Sequence, residues 1–247
     1  EHKGFCTSSP EWIVNVKETG RFWLVDYVDP NNPEIKMIKA ERFLHDGGGI
    51  REKRYFLVAA NQANTDAAVV DALKGKLEAL VETPQTRYPG RGANWIDPEF
   101  GPVWSTSHLG EGALIAIGTD PEGNSENAWQ VVRNIPLEGG GGLFIKTHPN
   151  SEWIWADHVL NSDEVIQRTI CVIDQRKNPP ETHKCWEASE LRGVRGFLRV
   201  QQGGAPEVWV NIWGRADELG KTQAEIVIYD DKTLEKLARI PDLVTPT

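Results

Sequence analysis

The sequence predicts an all-β chain of the β-propeller class. Three observations predict it: short apolar and β-branched runs that each end in aspartate, their return every 45 to 56 residues, and sparse helical periodicity. The runs are Phe22-Trp-Leu-Val-Asp26, Ala68-Val-Val-Asp71, Leu114-Ile-Ala-Ile-Gly-Thr-Asp120, Thr169-Ile-Cys-Val-Ile-Asp174 and Ile226-Val-Ile-Tyr-Asp230. A β-sandwich also uses many short strands, but recurrence at blade length favours the propeller.

A further strand precedes each of these runs. The first is Trp12-Ile-Val-Asn-Val16, followed by Arg54-Tyr-Phe-Leu-Val-Ala-Ala60 and Gly101-Pro-Val-Trp-Ser-Thr-Ser107. Next come Leu143-Phe-Ile-Lys-Thr147 with Trp153-Ile-Trp-Ala-Asp157, and last Glu207-Val-Trp-Val-Asn-Ile-Trp213. Turn residues separate them at Lys17-Glu-Thr-Gly20, Asp120-Pro-Glu-Gly123 and Asp230-Asp-Lys-Thr233. The stretch from Ala67 to Leu80 could pass for an amphipathic helix. Its place in the repeat makes it a strand to Asp71, a turn at Leu73-Lys-Gly75 and a second strand from Leu77 to Val81. Five repeat ends imply about four to five blades within one domain over residues 1–247.

Composition narrows the function classes. The chain has 247 residues, 39% of them hydrophobic, with ten tryptophans and one methionine, as a globular core requires. No apolar run is long enough for a membrane helix, so no membrane is expected as partner. A formal charge of −9 without a Lys/Arg cluster argues against nucleic acid. Cys6, Cys171 and Cys185 show neither CxxC nor CxxCH spacing, so no zinc cluster or covalent heme is expected. Cys171 reads as a buried thiol, and pairing with Cys185 stays open as the alternative.

Several segments carry polar groups at tight turns. His45 precedes Asp46-Gly-Gly-Gly49 in what reads as a loop, where glycine lets backbone approach a ligand. The alternative is a surface histidine. In Tyr88-Pro-Gly-Arg-Gly-Ala-Asn94, Arg91 projects from a turn and could pair bidentately with a carboxylate, or stand simply exposed. Ser105-Thr-Ser-His108 and Gly139-Gly-Gly-Gly142 complete the set. The glycine run lacks the GK[ST] ending and helix of a phosphate loop. His148 and His158 have no metal-ligand spacing, no metal site is expected on the chain's own residues, and no GxSxG elbow is present.

These segments, in this order, resemble the d1-heme domain of cytochrome cd1 nitrite reductases. The matching stretches include Trp12-Ile-Val-Asn-Val-Lys-Glu-Thr-Gly20, Phe43-Leu-His-Asp-Gly-Gly48, Pro89-Gly-Arg-Gly-Ala-Asn94, Gly101-Pro-Val-Trp-Ser-Thr-Ser-His-Leu-Gly110, Ile117-Gly-Thr-Asp-Pro-Glu-Gly123 and Leu143-Phe-Ile-Lys-Thr-His-Pro-Asn150. The resemblance runs nearly end to end. It implies an eight-bladed propeller of which this chain is a part, binding heme d1 and its iron. The first blades, with the proximal histidine, and a c-type cytochrome domain with heme c are expected outside the chain. It implies reduction of nitrite to nitric oxide in the periplasm by a homodimer, with electrons from a small c-type cytochrome or cupredoxin. His45 matches the first distal histidine, Arg91 a contact to the heme carboxylates and Phe144 an aromatic beside the ring.

The second distal histidine should stand before Pro-Gly-Arg-Gly, where this chain has Tyr88. A phenol, with an ordinary pKa of about 10, donates protons less readily near neutrality than an imidazolium. Three readings follow: a nitrite reductase using His45 alone or with the Tyr88 hydroxyl, a dihydro-heme d1 dehydrogenase or other heme d1 assembly protein, and a heme-carrying or structural propeller without turnover.

Overall fold

Twenty strands form five four-stranded antiparallel sheets, each an up-and-down meander, in a computed structural model. It describes residues 3–4, 10–42, 44–50, 53–60, 67–82, 92–191, 194–200, 206–214 and 224–243. The first sheet holds β1 (Lys3–Gly4), β2 (Glu11–Val16), β3 (Arg21–Asp26) and β4 (Glu34–Lys39). The second holds β5 (Leu44–Gly49), β6 (Tyr55–Ala60), β7 (Ala67–Asp71) and β8 (Lys76–Val81). The third holds β9 (Ala93–Asp97), β10 (Gly101–Ser107), β11 (Ala113–Gly118) and β12 (Val131–Pro136). The fourth holds β13 (Ile145–Lys146), β14 (Trp153–Asp157), β15 (Thr169–Asp174) and β16 (Glu181–Glu187). The fifth holds β17 (Val194–Val200), β18 (Glu207–Gly214), β19 (Ala224–Asp230) and β20 (Lys236–Leu243).

Successive sheets pack face to face because side chains alternate across a strand. On β6, Phe56 and Val58 enter the core shared with the first sheet, while Tyr55 and Leu57 enter the core shared with the third. On β14, Ile154 and Ala156 face the third sheet and Trp153 and Trp155 the fifth. Strands buried on both faces read as unbroken apolar runs, hence the sequence of β6 and β11. The first sheet covers only one face. Ile13, Phe22 and Leu24 are buried, while Trp12, Ile35 and Met37 on the opposite face are 42, 53 and 59% exposed. This is a propeller-like succession, and the two-sheet sandwich does not describe it.

The five recurring aspartates all cap the hairpin between the third and fourth strands of their sheets. Asp26 accepts from the Val28 N–H at 2.8 Å, Asp71 from Lys74 at 3.0 Å and Asp120 from Gly123 at 2.7 Å. Asp174 accepts from Arg176 at 3.0 Å, and Asp230 from Lys232 and Thr233 at 2.7 and 2.8 Å. Each carboxylate satisfies turn N–H groups that the ladder cannot reach. The segment 67–80 is indeed two strands and a turn, with Gly75 at φ +59°.

Three expectations are corrected. The stretch 44–49 is strand β5 and not a loop. The strand expected over 143–147 contracts to Ile145–Lys146, for reasons given below. Cys171 and Cys185 form a disulfide, because the register sets them directly opposite on β15 and β16 with Cα atoms 4.1 Å apart. Cys6 lies outside the described residues. Among the described residues one short α-helix occurs, α1 (Glu164–Arg168), capped by Asp163, which accepts from Val165 and Ile166. No helix among the described residues is long and apolar enough to cross a membrane.

A buried ion pair ties the third sheet together. Asp97, at the end of β9, accepts from Arg133 of β12 through both carboxylate oxygens at 3.0 Å. Burial works to raise the Asp97 pKa, but the Arg133 hydrogen bonds and the Phe100 and Glu99 N–H groups outweigh it and hold the carboxyl below its ordinary 3.8. The pair therefore contributes fully above the unfolded value and loses its contribution as pH falls toward the folded one. Arg133→Met is expected to cost about 3 kcal/mol at pH 7 by stranding a buried carboxylate. Urea unfolding at pH 7 and pH 3 checks it: the penalty should shrink at pH 3, and an equal penalty at both would remove Asp97 from the explanation.

Candidate functional site

The first strands of the sheets present the candidate site at the end where the chain enters them. Leu44 pairs with Ala60 and Gly47 with Val58, so His45 and Asp46 together oppose Ala59 in a β-bulge. A bulge re-aims side chains at a strand end. The His45 carbonyl accepts the side-chain amide of Asn15, 4% exposed on β2, which anchors the bulge to the first sheet. His45 Nδ1 lies 3.3 Å from Asp46 Oδ2, and its side chain keeps 34% exposure. A carboxylate beside Nδ1 helps to fix the orientation of the ring.

Next to the bulge, backbone replaces side chains. An added Cβ on Gly92 would lie 2.1 Å from Trp104 Cε2, and one on Gly48 3.1 Å from Trp104 Nε1. The buried Trp104 indole thus fills the space of side chains on two neighbouring sheets. Asn94 on β9 donates to the Gly49 carbonyl at 2.8 Å and joins the two first strands directly. An added Cβ on Gly49 would meet nothing within 4 Å, so the backbone is open at this residue.

Phe144 stands at the same end, immediately before β13, on the sheet two beyond that of His45. Asp157, fully buried at the end of β14, accepts from the Leu143 and Phe144 N–H groups at 2.9 and 3.1 Å. These bonds take the Leu143 and Phe144 N–H groups out of the ladder and leave β13 two residues long. Upstream, the glycine run threads between the β10–β11 and β14–β15 connections. Gly141 donates to Leu109 O and accepts from Leu160 N–H, both at 2.9 Å, and Asn161 donates to Gly140 O at 2.8 Å. A Cβ on Gly142 would lie 2.5 Å from Ser107 Oγ. The run is glycine because no side chain fits, which is the packing reason it is not a phosphate loop.

Tyr88 and Arg91 lie outside the described residues. His148 accepts the Asn150 N–H through Nδ1 at 3.1 Å, a local turn contact. His158 is fully buried; burial lowers its pKa, against a bond from Nδ1 to the Thr169 carbonyl at 2.9 Å. Its other ring nitrogen lies 3.9 Å from Cys171 Sγ. Cys171, Cys185 and Glu138 cluster within metal-binding distance, but the disulfide occupies both sulfurs. A groove of about 800 Å³ follows β9 and β13, lined by Asn94, Lys146, His148 and Arg176 among others. The sequence singled out neither Trp104 nor Asn94 as a site residue, and Asp157 entered only as a carboxylate that completes no metal site.

A family model for the cytochrome D1 heme domain matches residues 6–247. The chain belongs to that family. Among curated relatives of this cytochrome d1 heme chain, a nitrite reductase from Stutzerimonas stutzeri is 44% identical over 96% of the chain. A dihydro-heme d1 dehydrogenase from Pseudomonas aeruginosa is 22% identical over 93%. The chain spans 44 and 42% of the lengths of these two proteins. A solved dihydro-heme d1 dehydrogenase in complex with DHE superposes with TM-score 0.71 at 22% identity, over 94% of this chain and 44% of that one. Hydrazine synthase from Kuenenia stuttgartiensis gives TM-score 0.71 at 14% identity, over 97 and 65%. At these identities the superpositions speak for the fold.

Gly142→Ala is expected to lower stability by about 2 kcal/mol through overpacking. Ser107→Gly in the same chain should recover part of the loss, as thermal unfolding of the single and double variants would show. Simple addition of the two effects would mean that the strap is not held at this contact.

Proposed function

We propose that this chain is part of a heme d1-dependent nitrite reductase that converts nitrite, one electron and two protons to nitric oxide and water. The observation that carries the reading is the partly exposed His45 imidazole, beside Asp46 on a bulge, in a chain 44% identical to a nitrite reductase. The residues that would meet a flat macrocycle are the open backbone at Gly49, the aromatic Phe144 and the His45 imidazole, all on or beside the first strands of their sheets. When bound, heme d1 supplies the iron that holds and reduces nitrite. His45 donates a hydrogen bond or proton to the substrate oxygen, with Asp46 beside Nδ1 orienting the ring. Tyr88 supplies a hydroxyl donor to the same oxygen region, and Arg91 pairs with the cofactor's carboxylates. Phe144 packs beside the ring.

The same reading extends to the whole protein. Eight such sheets in a ring would cover the apolar face that Trp12, Ile35 and Met37 expose, and the 44% span of the relative leaves length for further sheets and a heme c domain. The Cys171–Cys185 disulfide accords with the periplasm, where such bonds persist. A small c-type cytochrome or cupredoxin would deliver electrons to a homodimer. Tyr88 favours a second reading, a dihydro-heme d1 dehydrogenase or other heme d1 assembly protein, since oxidising the cofactor precursor requires no proton delivery to nitrite.

Full-length protein loaded with heme d1 and supplied with reductant should release nitric oxide from nitrite. His45→Ala should lower that rate by about a hundredfold, the usual weight of a proton donor. An inactive parent that gains turnover on Tyr88→His would transfer the assignment to the second reading. Arg91→Ala should speed loss of the cofactor, and unchanged retention would show that Arg91 does not grip it.

A further inference from the structure

We propose that Asp157 is a positioning residue that sets the direction of Phe144 toward the cofactor, an inference resting on the heme d1 reading. The chain from Gly139 to Leu143 has almost no lateral freedom. Gly141 is bonded to both flanking connections and Gly140 to the β14–β15 connection, and an added Cβ would lie 2.7 Å from Gly110 O at Gly140 and 2.2 Å from Asn161 N at Gly141. The remaining hinge is Leu143–Phe144, and both of its N–H groups go to Asp157 Oδ1.

The neighbouring register explains why a carboxylate does this. Ile145 pairs with Ala156, so the following pair is Phe144 with Asp157. The Asp157 N–H does reach the Phe144 carbonyl, at 3.3 Å. The Phe144 N–H turns to the Asp157 side chain, which lies nearer the sheet end and also takes Leu143. One oxygen accepting two N–H groups pulls the backbone out of the pleat at that residue. The Phe144 ring is partly buried and packs against the core between the fourth and fifth sheets. A fully buried carboxylate is costly to desolvate unless such bonds answer it. Asp157 is thus the element that converts a rigid strap into a fixed aromatic contact.

The test uses full-length protein loaded with heme d1, following cofactor release to an apo-acceptor and the visible spectrum of the bound pigment. Phe144→Ala and Asp157→Ala should each speed release by about tenfold, the weight of one or two hydrogen bonds or one aromatic contact, and shift the same absorption band. Asp157→Asn keeps an acceptor oxygen and should stay near the parent. Asp157→Glu, which moves the carboxylate by one methylene and should fold even if the alanine variant does not, should resemble Phe144→Ala. Adding Asp157→Glu to Phe144→Ala should change release by less than twofold. Additive effects, or failure of asparagine to preserve the parental spectrum, would overturn the positioning role while leaving heme d1 binding intact. A parent that takes up no heme d1 would instead overturn the functional reading, and this proposal with it.

Discussion

Alternation of side chains across a strand lets one sheet supply half of two cores, and the rest of the molecule depends on that sharing. The second, third and fourth sheets are buried on both faces, so none has a core of its own. Phe56 and Leu57 are neighbours in sequence and belong to different cores. Because the apolar faces are committed to neighbouring sheets, polar chemistry is confined to strand ends. Aspartates close the hairpins at one end, and the opposite end receives the entries into the first strands, with His45 and Phe144.

The architecture was legible because it repeats. A doubly buried strand has to be an apolar run, and an aspartate two or three residues before unpaired N–H groups has a mechanical reason to return in every unit, as Asp26, Asp71 and Asp230 do. Features that depend on a partner remote in sequence were not legible. The bulge that makes His45 part of a strand is defined by its pairing against Ala59. The disulfide depends on the register of β15 against β16. The glycine run could be excluded as a phosphate loop from its own sequence, but its cause lies in Ser107, Leu109 and Asn161, none of which announces itself as a neighbour.

The proposed site would divide the labour between side chains that meet a ligand and backbone that makes room for it. Glycines withdraw at Gly48 and Gly92, and the space is taken by Trp104 from the second strand of the third sheet, so the wall there is stiff without being crowded. His45 and Phe144 then need separate supports, since they sit on sheets two apart. Asn15 and Asp46 serve the first, and Asp157 serves the second.

Trp104 has an optical consequence. Its indole rests on the backbone of two first strands at the end where a pigment is proposed to bind. Tryptophan emission overlaps the absorption of tetrapyrroles, and energy transfer falls steeply with distance. The residue that closes the wall of the site is also a built-in donor whose fluorescence reports how near the pigment lies.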